Sequence, residues 1–507
     1  MINEEYDLCV IGGGINGVGI ARDAAGRGLS VLLVEAKDLA QATSSSSSKL
    51  IHGGLRYLEF FEFGLVRSSL IEREKLLAIA PHVIWPLEFV LPYKEEGAKR
   101  PYWLVRLGLF LYDHLARRTR IASSSAVEMD QALMRSEYKR GFVYSDCWVD
   151  DSRLVVLNAL DAKERGAQIK THTRCEKIAE GHDEYERFKV TLKDQKTGKL
   201  YKIGASMVVN AAGPWVGELL EDSGLDDATP IVRHVKGSHI IVPRKFEGDR
   251  AYTLTPDDGR VVFVIPYEND YTLIGTTEQD YEGDLYDVQI SDDEIDYLCS
   301  VYSSYFKKTI HKQDVLWAYS GVRPLCDDGK SDARKVSRDY VIFDHRPDFG
   351  KMISVFGGKL TTYRVLAEKV VNKLLHLDSR YVNPWTDQEN LPGGDFPEGH
   401  FAVFFAEVKR NYSWLDDTLL YRYARSYGTR MDVFLDGALS EKDLGRKYAD
   451  GLYEAELAYL IRYEFVRSLE DALFRRSKIG LHISESVYEE LQKAWPKIVE
   501  RAGGYGT

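Results

Sequence analysis

The apolar pattern is most orderly at the start of the chain. Tyr6 to Ile11 is a short apolar run of the kind that makes a buried strand, and glycines follow at 12, 13, 14 and 17. An alanine-rich stretch with helical spacing continues to about Gly26, and a second strand-like run, Ser30 to Val34, ends at Glu35. Strand, helix and strand in this order form a β-α-β unit, whose crossover implies a parallel sheet. Leu65–Ala80 repeats its apolar positions at helical spacing and stops at Pro81. Residues 83–146 are mixed, 152–165 read as a helix, and 168–210 alternate as strands around the turn DQKTGK. Short strands dominate from about 230 to 320, with a helix near Asp292–Phe306, and 354–375 reads as strand, turn and helix. Leu391 to Gly394 reads as a linker, followed by helical patterns over Glu441–Phe465 and Glu485–Glu500.

These elements predict an α/β fold in three bodies. The first is a discontinuous, doubly wound, Rossmann-like domain made of residues 1–82, 147–228 and 320–390. The second is a β-rich domain made of 83–146 and 229–319. The third is a C-terminal helical domain, 391–507, expected to serve packing or homodimer contacts. No internal repeat is present, and the serine run 44–48 is the one low-complexity piece.

Composition narrows the function classes. A chain of 507 residues with 44% hydrophobic and 29% charged residues is globular and large enough for several domains. Its net charge of −11 discourages nucleic-acid binding. The charge is local, however. Residues 268–296 carry eleven Asp or Glu and no Lys or Arg, whereas Lys99–Arg120 carries six basic residues against one acid, interleaved with Tyr102, Trp103, Phe110 and leucines. An apolar stripe with basic surroundings is how a helix lies on an anionic membrane surface; an amphipathic core helix with a solvated basic end has the same pattern. Five cysteines without paired spacing suggest neither a disulfide framework nor a metal site. The start MINEEYDLCV lacks a basic leader, and no stretch reaches the roughly 20 apolar residues of a membrane span. The expectation is a cytoplasmic location.

The turn Gly12-x-Gly14-x-x-Gly17 carries the first chemistry. Gly12 permits the tight turn, Gly14 lets backbone approach a pyrophosphate, and Gly17 lets helix pack on strand. The helix N-terminus presents N–H groups and a positive dipole end to the anion. Glu35, closing the second strand, is placed to accept from ribose hydroxyls. Two further glycine turns favour FAD over NAD: one follows the strand ending Val208-Val209-Asn210 and contains Gly213, and the other is Phe356-Gly357-Gly358-Lys359-Leu360-Thr361-Thr362. A helix N-terminus at the latter suits the pyrimidine end of a flavin, where negative charge develops on reduction.

Taken together, IGGGINGVGIARDAAGRGLSVLLVE, ATSSSSSKLIHGGLRYLE, YSDCWVDDSRLV, NAAGPWV, VKGSHIIVP, IGTTE, YSGVRPLCDD, SRDY, SVFGGKLTTYR and YEAELAYLIRYEFVRSLEDALFRR resemble the FAD-dependent glycerol-3-phosphate dehydrogenases. The resemblance spans nearly the whole chain. It implies oxidation of sn-glycerol 3-phosphate to dihydroxyacetone phosphate by hydride transfer to FAD. Electrons would pass on to membrane quinone from a protein held peripherally on the inner face of the membrane. Related glycerol-phosphate oxidases, which make hydrogen peroxide, typically carry an insertion for which 338–360 offers no obvious room. A third reading is a non-catalytic flavin-binding scaffold.

Side-chain chemistry and the resemblance together suggest roles. Arg323 and Arg338 would clamp the substrate phosphate, a task suited to the planar guanidinium fork. The clamp, together with Lys359 and His239, argues against a scaffold. Arg56 and Tyr57 would bind glycerol hydroxyls, and Lys359 would stabilise charge on the flavin or the substrate oxygen. His239 is the first choice for proton acceptor and His52 the second, the latter better suited to a flavin contact. Alternatively, Arg323 orients the alcohol and water takes the proton. Thr43, Ser44, Ser48, Lys49 and Leu50 would contact FAD, as would Gly213, Gly358, Leu360 and Thr361. Trp215 would pack near the flavin or simply in the core, and His234 reads as structural.

Overall fold

A computed structural model of the chain describes residues 4–181, 187–226, 229–326, 339–345, 351–375, 383–396 and 399–506. β1 (Glu5–Ile11), α1 (Ile15–Gly26) and β2 (Val31–Val34) form the expected β-α-β unit. β1 lies between β2 and the strand Leu200–Asn210, parallel to both. Gln168–Lys170 continues the parallel sheet beyond β2, and Lys351–Phe356 continues it beyond Leu200–Asn210. Both faces of this sheet are covered. Leu8 and Val10 point into a core shared with α1, while Cys9 and Ile11 point into a second core with Val190, Val216 and Leu220. The two-residue period of a strand divides them, so a strand buried on both sides reads as one unbroken apolar run.

A ten-stranded sheet stands beside it. β3 (Leu50–Ile51), just after the serine run, pairs antiparallel with Arg140–Val149 at one end. Within the sheet Val232–Pro243 pairs antiparallel with both Tyr271–Gly275 and Trp317–Cys326. Arg140–Val149 and Trp317–Cys326 run across positions 146 and 320, where the expected bodies meet. α2 (Phe63–Ile79) precedes strand Ile84–Tyr93, and α3 (Tyr102–His114) lies in the basic, aromatic segment. α4 (Asp151–Glu164) starts directly after Arg140–Val149, capped by the Asp150 carboxylate accepting from Arg153 N.

Two C-terminal expectations change. Glu441–Phe465 is not one helix. A hairpin of Lys447–Ala449 and Leu452–Tyr453 interrupts it, turning at Gly451 (φ 74°), and the helix proper is Glu454–Tyr463. Local helical spacing cannot outweigh a turn glycine in a left-handed conformation. Leu391–Gly394 is not a free linker either. Leu391 is fully buried, its N–H donates to Ile79 O at 2.8 Å, and a Cβ at Gly393 would sit 2.2 Å from Tyr427 O. The five cysteines are all free thiols. No helix among the described residues is long and apolar enough to cross a membrane.

Candidate active site

Three glycine turns meet where the parallel strands end, the edge at which α/β sheets bind ligands. Gly12 (φ 111°) abuts the end of Leu200–Asn210 so closely that a Cβ would lie 2.4 Å from Ala211 O. Asn16 Nδ2 donates to Gly357 O at 3.2 Å, joining the first turn to the third. Thr361 Oγ1 accepts from His52 N at 3.2 Å, joining the third turn to the segment after β3. Glu35 accepts from Gly13 N (2.6 Å) and Lys37 N (2.8 Å), and burial raises its carboxyl above the usual range. Ser44 Oγ accepts from Ile15 N at 3.0 Å, and Thr43 Oγ1 donates to Val322 O at 2.6 Å. The serine run is thus pinned between the α1 N-terminus and the second sheet.

That sheet contributes a polar cluster. In the antiparallel pairing His239 faces Tyr319, Gly237 faces Gly321 and Val235 faces Arg323. Alternate residues share a face, so His239, Tyr319 and Arg323 project together, separated by two glycines. A Cβ at Gly237 would crowd Thr276 Oγ1 (2.6 Å) and Arg323 Nη2 (2.8 Å), and one at Gly321 would meet Ser46 Cβ at 2.7 Å. The glycines keep this face open for the guanidinium and the serine run.

His239 is buried and stacks on Tyr319, with ring centroids 4.8 Å apart. Its Nε2 is 2.9 Å from Ser48 Oγ, and its Nδ1 has no hydrogen-bond partner among the described residues. Burial, reinforced by the nearby Arg323 and Lys49 charges, holds the imidazole well below its usual pKa, so it is neutral at physiological pH. Arg323 donates from Nη2 to Thr276 Oγ1 at 3.4 Å; its buried Nη1 has no partner, and it pairs with no carboxylate, among the described residues. Burial lowers its pKa from the usual value, partly offset by Tyr57. Lys359 Nζ sits 3.8 Å from the Tyr57 ring centroid. Arg56 lies 3.7 Å from Glu278, two residues beyond Thr276.

His239, Arg323, Lys359, Arg56, Tyr57, Ser48 and His52 therefore converge from four separate stretches of chain. Lys49 and Leu50 are differently engaged. Lys49 Nζ donates to Asp151 (2.9 and 3.0 Å), and Leu50 is a buried strand residue. Trp215 packs against Tyr286, centroids 5.2 Å apart, and His234 Nε2 donates to Pro214 O at 3.0 Å. Gly213 and Leu360 lie in the second and third turns. Arg338 lies outside the described residues. Sequence reasoning missed Asn16, Gly237, Thr276, Glu278 and Tyr319. The period-two spacing of 235/237/239 and 319/321/323 is the signal that groups some of them.

The chain matches two family models, that of the FAD dependent oxidoreductases over residues 7–364 and that of the C-terminal domain of alpha-glycerophosphate oxidase over residues 384–502. It is 47% identical to the glycerol-3-phosphate dehydrogenase of Pseudomonas aeruginosa over 95% of this chain and 93% of that one. It is also 47% identical to the aerobic glycerol-3-phosphate dehydrogenase of Escherichia coli, over 95% of both chains. The chain belongs to the FAD-dependent glycerol-3-phosphate dehydrogenase family. A D-erythritol 1-phosphate dehydrogenase of Brucella abortus is 46% identical over 95% of this chain and 96% of its own. The crystal structure of the Bacillus halodurans glycerol-3-phosphate dehydrogenase with FAD superposes with a TM-score of 0.76 at 28% identity, covering 99% of this chain and 92% of that one.

The family's flavin fits these residues. Gly12 leaves no room for a side chain, a Cβ at Gly14 would meet only Ser44 Oγ (3.1 Å), and Asn16 Oδ1 is a buried acceptor without a partner among the described residues. The Glu35 carboxylate retains lone pairs for hydroxyl donors. Gly12→Val is expected to yield flavin-free protein, because the new side chain needs a disfavoured φ and collides with Ala211. The ratio of flavin to protein absorbance after purification checks this; wild-type flavin content would contradict it.

Proposed function

We propose that this enzyme oxidises the secondary alcohol of sn-glycerol 3-phosphate to dihydroxyacetone phosphate, with membrane quinone as the final electron acceptor. The observation that carries the reading is Arg323, a largely buried guanidinium without a carboxylate partner among the described residues. Such a charge calls for an anion, and a phosphate matches its donor fork. Arg338, from the motif SRDY, is assigned to the same clamp. FAD, when bound, supplies the two-electron acceptor for the hydride from C2. His239 Nδ1 accepts the proton of the C2 hydroxyl, since the imidazole is held neutral and that nitrogen has no other partner among the described residues. Ser48 Oγ and the Tyr319 ring hold the imidazole in place. Lys359 and Arg56 provide positive charge beside the reacting oxygen and the remaining hydroxyl.

Anaerobic mixing with sn-glycerol 3-phosphate, following flavin absorbance, tests this reading, and bleaching is the expected result. The same assay with D-erythritol 1-phosphate covers the substrate named for the Brucella relative; faster bleaching with the tetritol would reassign the substrate. Peroxide release in air without quinone would favour an oxidase.

Membrane contact is supported by a surface patch. Phe61, Trp103, Leu107 and Phe110 are all exposed, Phe61 at 79% and Trp103 at 65%. They come from α3 and from the turn that also carries Arg56 and Tyr57. A cleft of about 510 Å³ lined by Arg67, Asp113, His114, Arg117 and Arg118 opens at the C-terminal end of α3 and shares no residue with the His239 cluster. Arg118 bonds Asp113 (2.8 Å) and Arg120 bonds Gly399 O (3.1 Å), so the apolar side chains are the better target for a test. Trp103→Glu with Phe110→Glu is expected to move the protein from pellet to supernatant in co-sedimentation with vesicles containing anionic lipid. Undiminished binding would eliminate this face as the anchor.

A further inference from the structure

Residues 36–49, between β2 and β3, contain no helix or strand. Yet they supply Thr43, Ser44 and Ser48 to the site, so something else must hold them in shape. One end is bonded directly to a short stretch of the C-terminal body, and the other to α4, beside a residue that the same stretch holds.

At the first end Asp38 is fully buried. Its carboxylate accepts from Arg475 Nε (2.6 Å) and from Arg476 Nη1 and Nη2 (2.8 Å each). Burial alone would raise the Asp38 carboxyl, but the two guanidiniums outweigh it and hold the group ionised. Arg476 is itself fixed by donating to Glu464 O at 3.1 and 2.9 Å. At the second end Lys49 Nζ donates to Asp151 and to Ser45 O (3.0 Å), and Ser47 Oγ donates to Asp151 (2.7 Å). Asp150, the adjacent α4 cap, is paired with buried Lys478. A separate buried pair, Arg153 with Glu464, docks the C-terminal body on α4. Between its two ends the serine run bonds inward, to Ile15 N through Ser44 Oγ and to Val322 O through Thr43 Oγ1.

We propose that the C-terminal domain is a clasp for the flavin loop, in which Arg476 and Lys478 are positioning residues that set residues 38–49 for FAD. This inference rests on the reading of the three glycine turns as the FAD site. A guanidinium held along two of its edges gives Asp38 one fixed location, and Asp38 is six residues from the Ser44 hydroxyl at the α1 N-terminus. The domain would thereby control cofactor retention without touching the cofactor.

The test uses the full-length protein, stripped of flavin for titration and reloaded for kinetics. Apoprotein is titrated with FAD by flavin fluorescence, with folding monitored by far-UV circular dichroism. Arg476→Gln is expected to weaken FAD binding at least tenfold, with kcat recovering in excess FAD and the substrate KM unchanged. Arg476→Lys is expected to regain much of the affinity. The control is Arg430→Gln, which removes another contact between the same bodies, Arg430 with Glu164 at 2.7 Å. That contact lies about 20 Å along α4 from Asp151 at the helical rise per residue, and its loss is expected to leave FAD affinity unchanged. Wild-type affinity in Arg476→Gln, or an equal loss in Arg430→Gln, would overturn the clasp. Should Arg476→Gln fail to fold, Asp38→Asn decides from the other side: weakened FAD binding supports the clasp and undiminished binding overturns it. A wild-type apoprotein that takes up no FAD would overturn the reading of the glycine turns, a result visible before any variant is made.

Discussion

Replacing Arg323 by Ala is expected to raise the KM for sn-glycerol 3-phosphate by about 30- to 1,000-fold while FAD stays bound. The range follows from the roughly 2–4 kcal/mol typically lost when one partner of a desolvated, hydrogen-bonded charge pair is removed. The protein itself should not suffer. Arg323 has no carboxylate partner to strand among the described residues, and its one side-chain hydrogen bond to them, with Thr276, is long at 3.4 Å. Removing a buried charge that lacks a protein partner is neutral or stabilising for the fold. A raised KM with an unchanged or higher melting temperature would therefore mark a residue kept for its ligand. Arg323→Lys should recover part of the affinity, since charge remains but the planar fork is lost. An unchanged KM in Arg323→Ala would remove it from the clamp.

His239→Gln is expected to lower kcat by about 10²- to 10⁴-fold, the usual contribution of a positioned general base. Substrate KM and FAD content should hold, because the phosphate is gripped elsewhere. Retention of most of the activity would favour the alternative in which Arg323 orients the alcohol and water takes the proton. The protonation state has a second consequence. The unfolded histidine titrates near 6.5, whereas burial, Arg323 and Lys49 keep the native imidazole neutral well below that. Below pH 6.5 the unfolded state thus binds a proton that the native state refuses, and stability falls on acidification. Stability derived from a neutral His239 is fully present above pH 6.5 and declines as pH drops toward the native pKa. His239→Gln should flatten this dependence by up to one proton between pH 5 and 7 in urea titrations. An identical slope in the variant would show that His239 already titrates normally in the native protein.

How far the site was legible varied with the kind of signal. The glycine turns were plain because each obeys a local rule: strand, tight turn, helix, and an acid at the end of the next strand. The roles of Arg323 and His239 were harder. An arginine in a strand is ordinarily a surface charge, and a histidine ordinarily a satisfied core residue. What sets Arg323 apart is that it pairs with no carboxylate among the described residues, a fact about neighbours 40 to 90 positions away such as Thr276 and Gly237. Lys49 likewise depends on a distant neighbour. Its motif suggested a cofactor contact, and its ammonium is engaged with Asp151, a hundred residues on. The helical pattern over Glu441–Phe465 is broken for a local reason, the hairpin at Gly451, and holds over Glu454–Tyr463.

By itself the sequence determined the α/β character, the dinucleotide turn, the resemblance to a flavin dehydrogenase family and the uneven distribution of charge. Each of these is built from motifs or segments of about thirty residues or fewer, within which spacing along the chain dictates spacing in space. Only the tertiary structure decided which polar groups keep a partner and which are left for a ligand. It alone brought the serine run under Gly321, set Lys359 on Tyr57, and carried Arg476 from the far end of the chain to Asp38. Those pairings depend on strand register and domain docking. Both are fixed by burial of apolar faces over the whole molecule, and no local pattern encodes them.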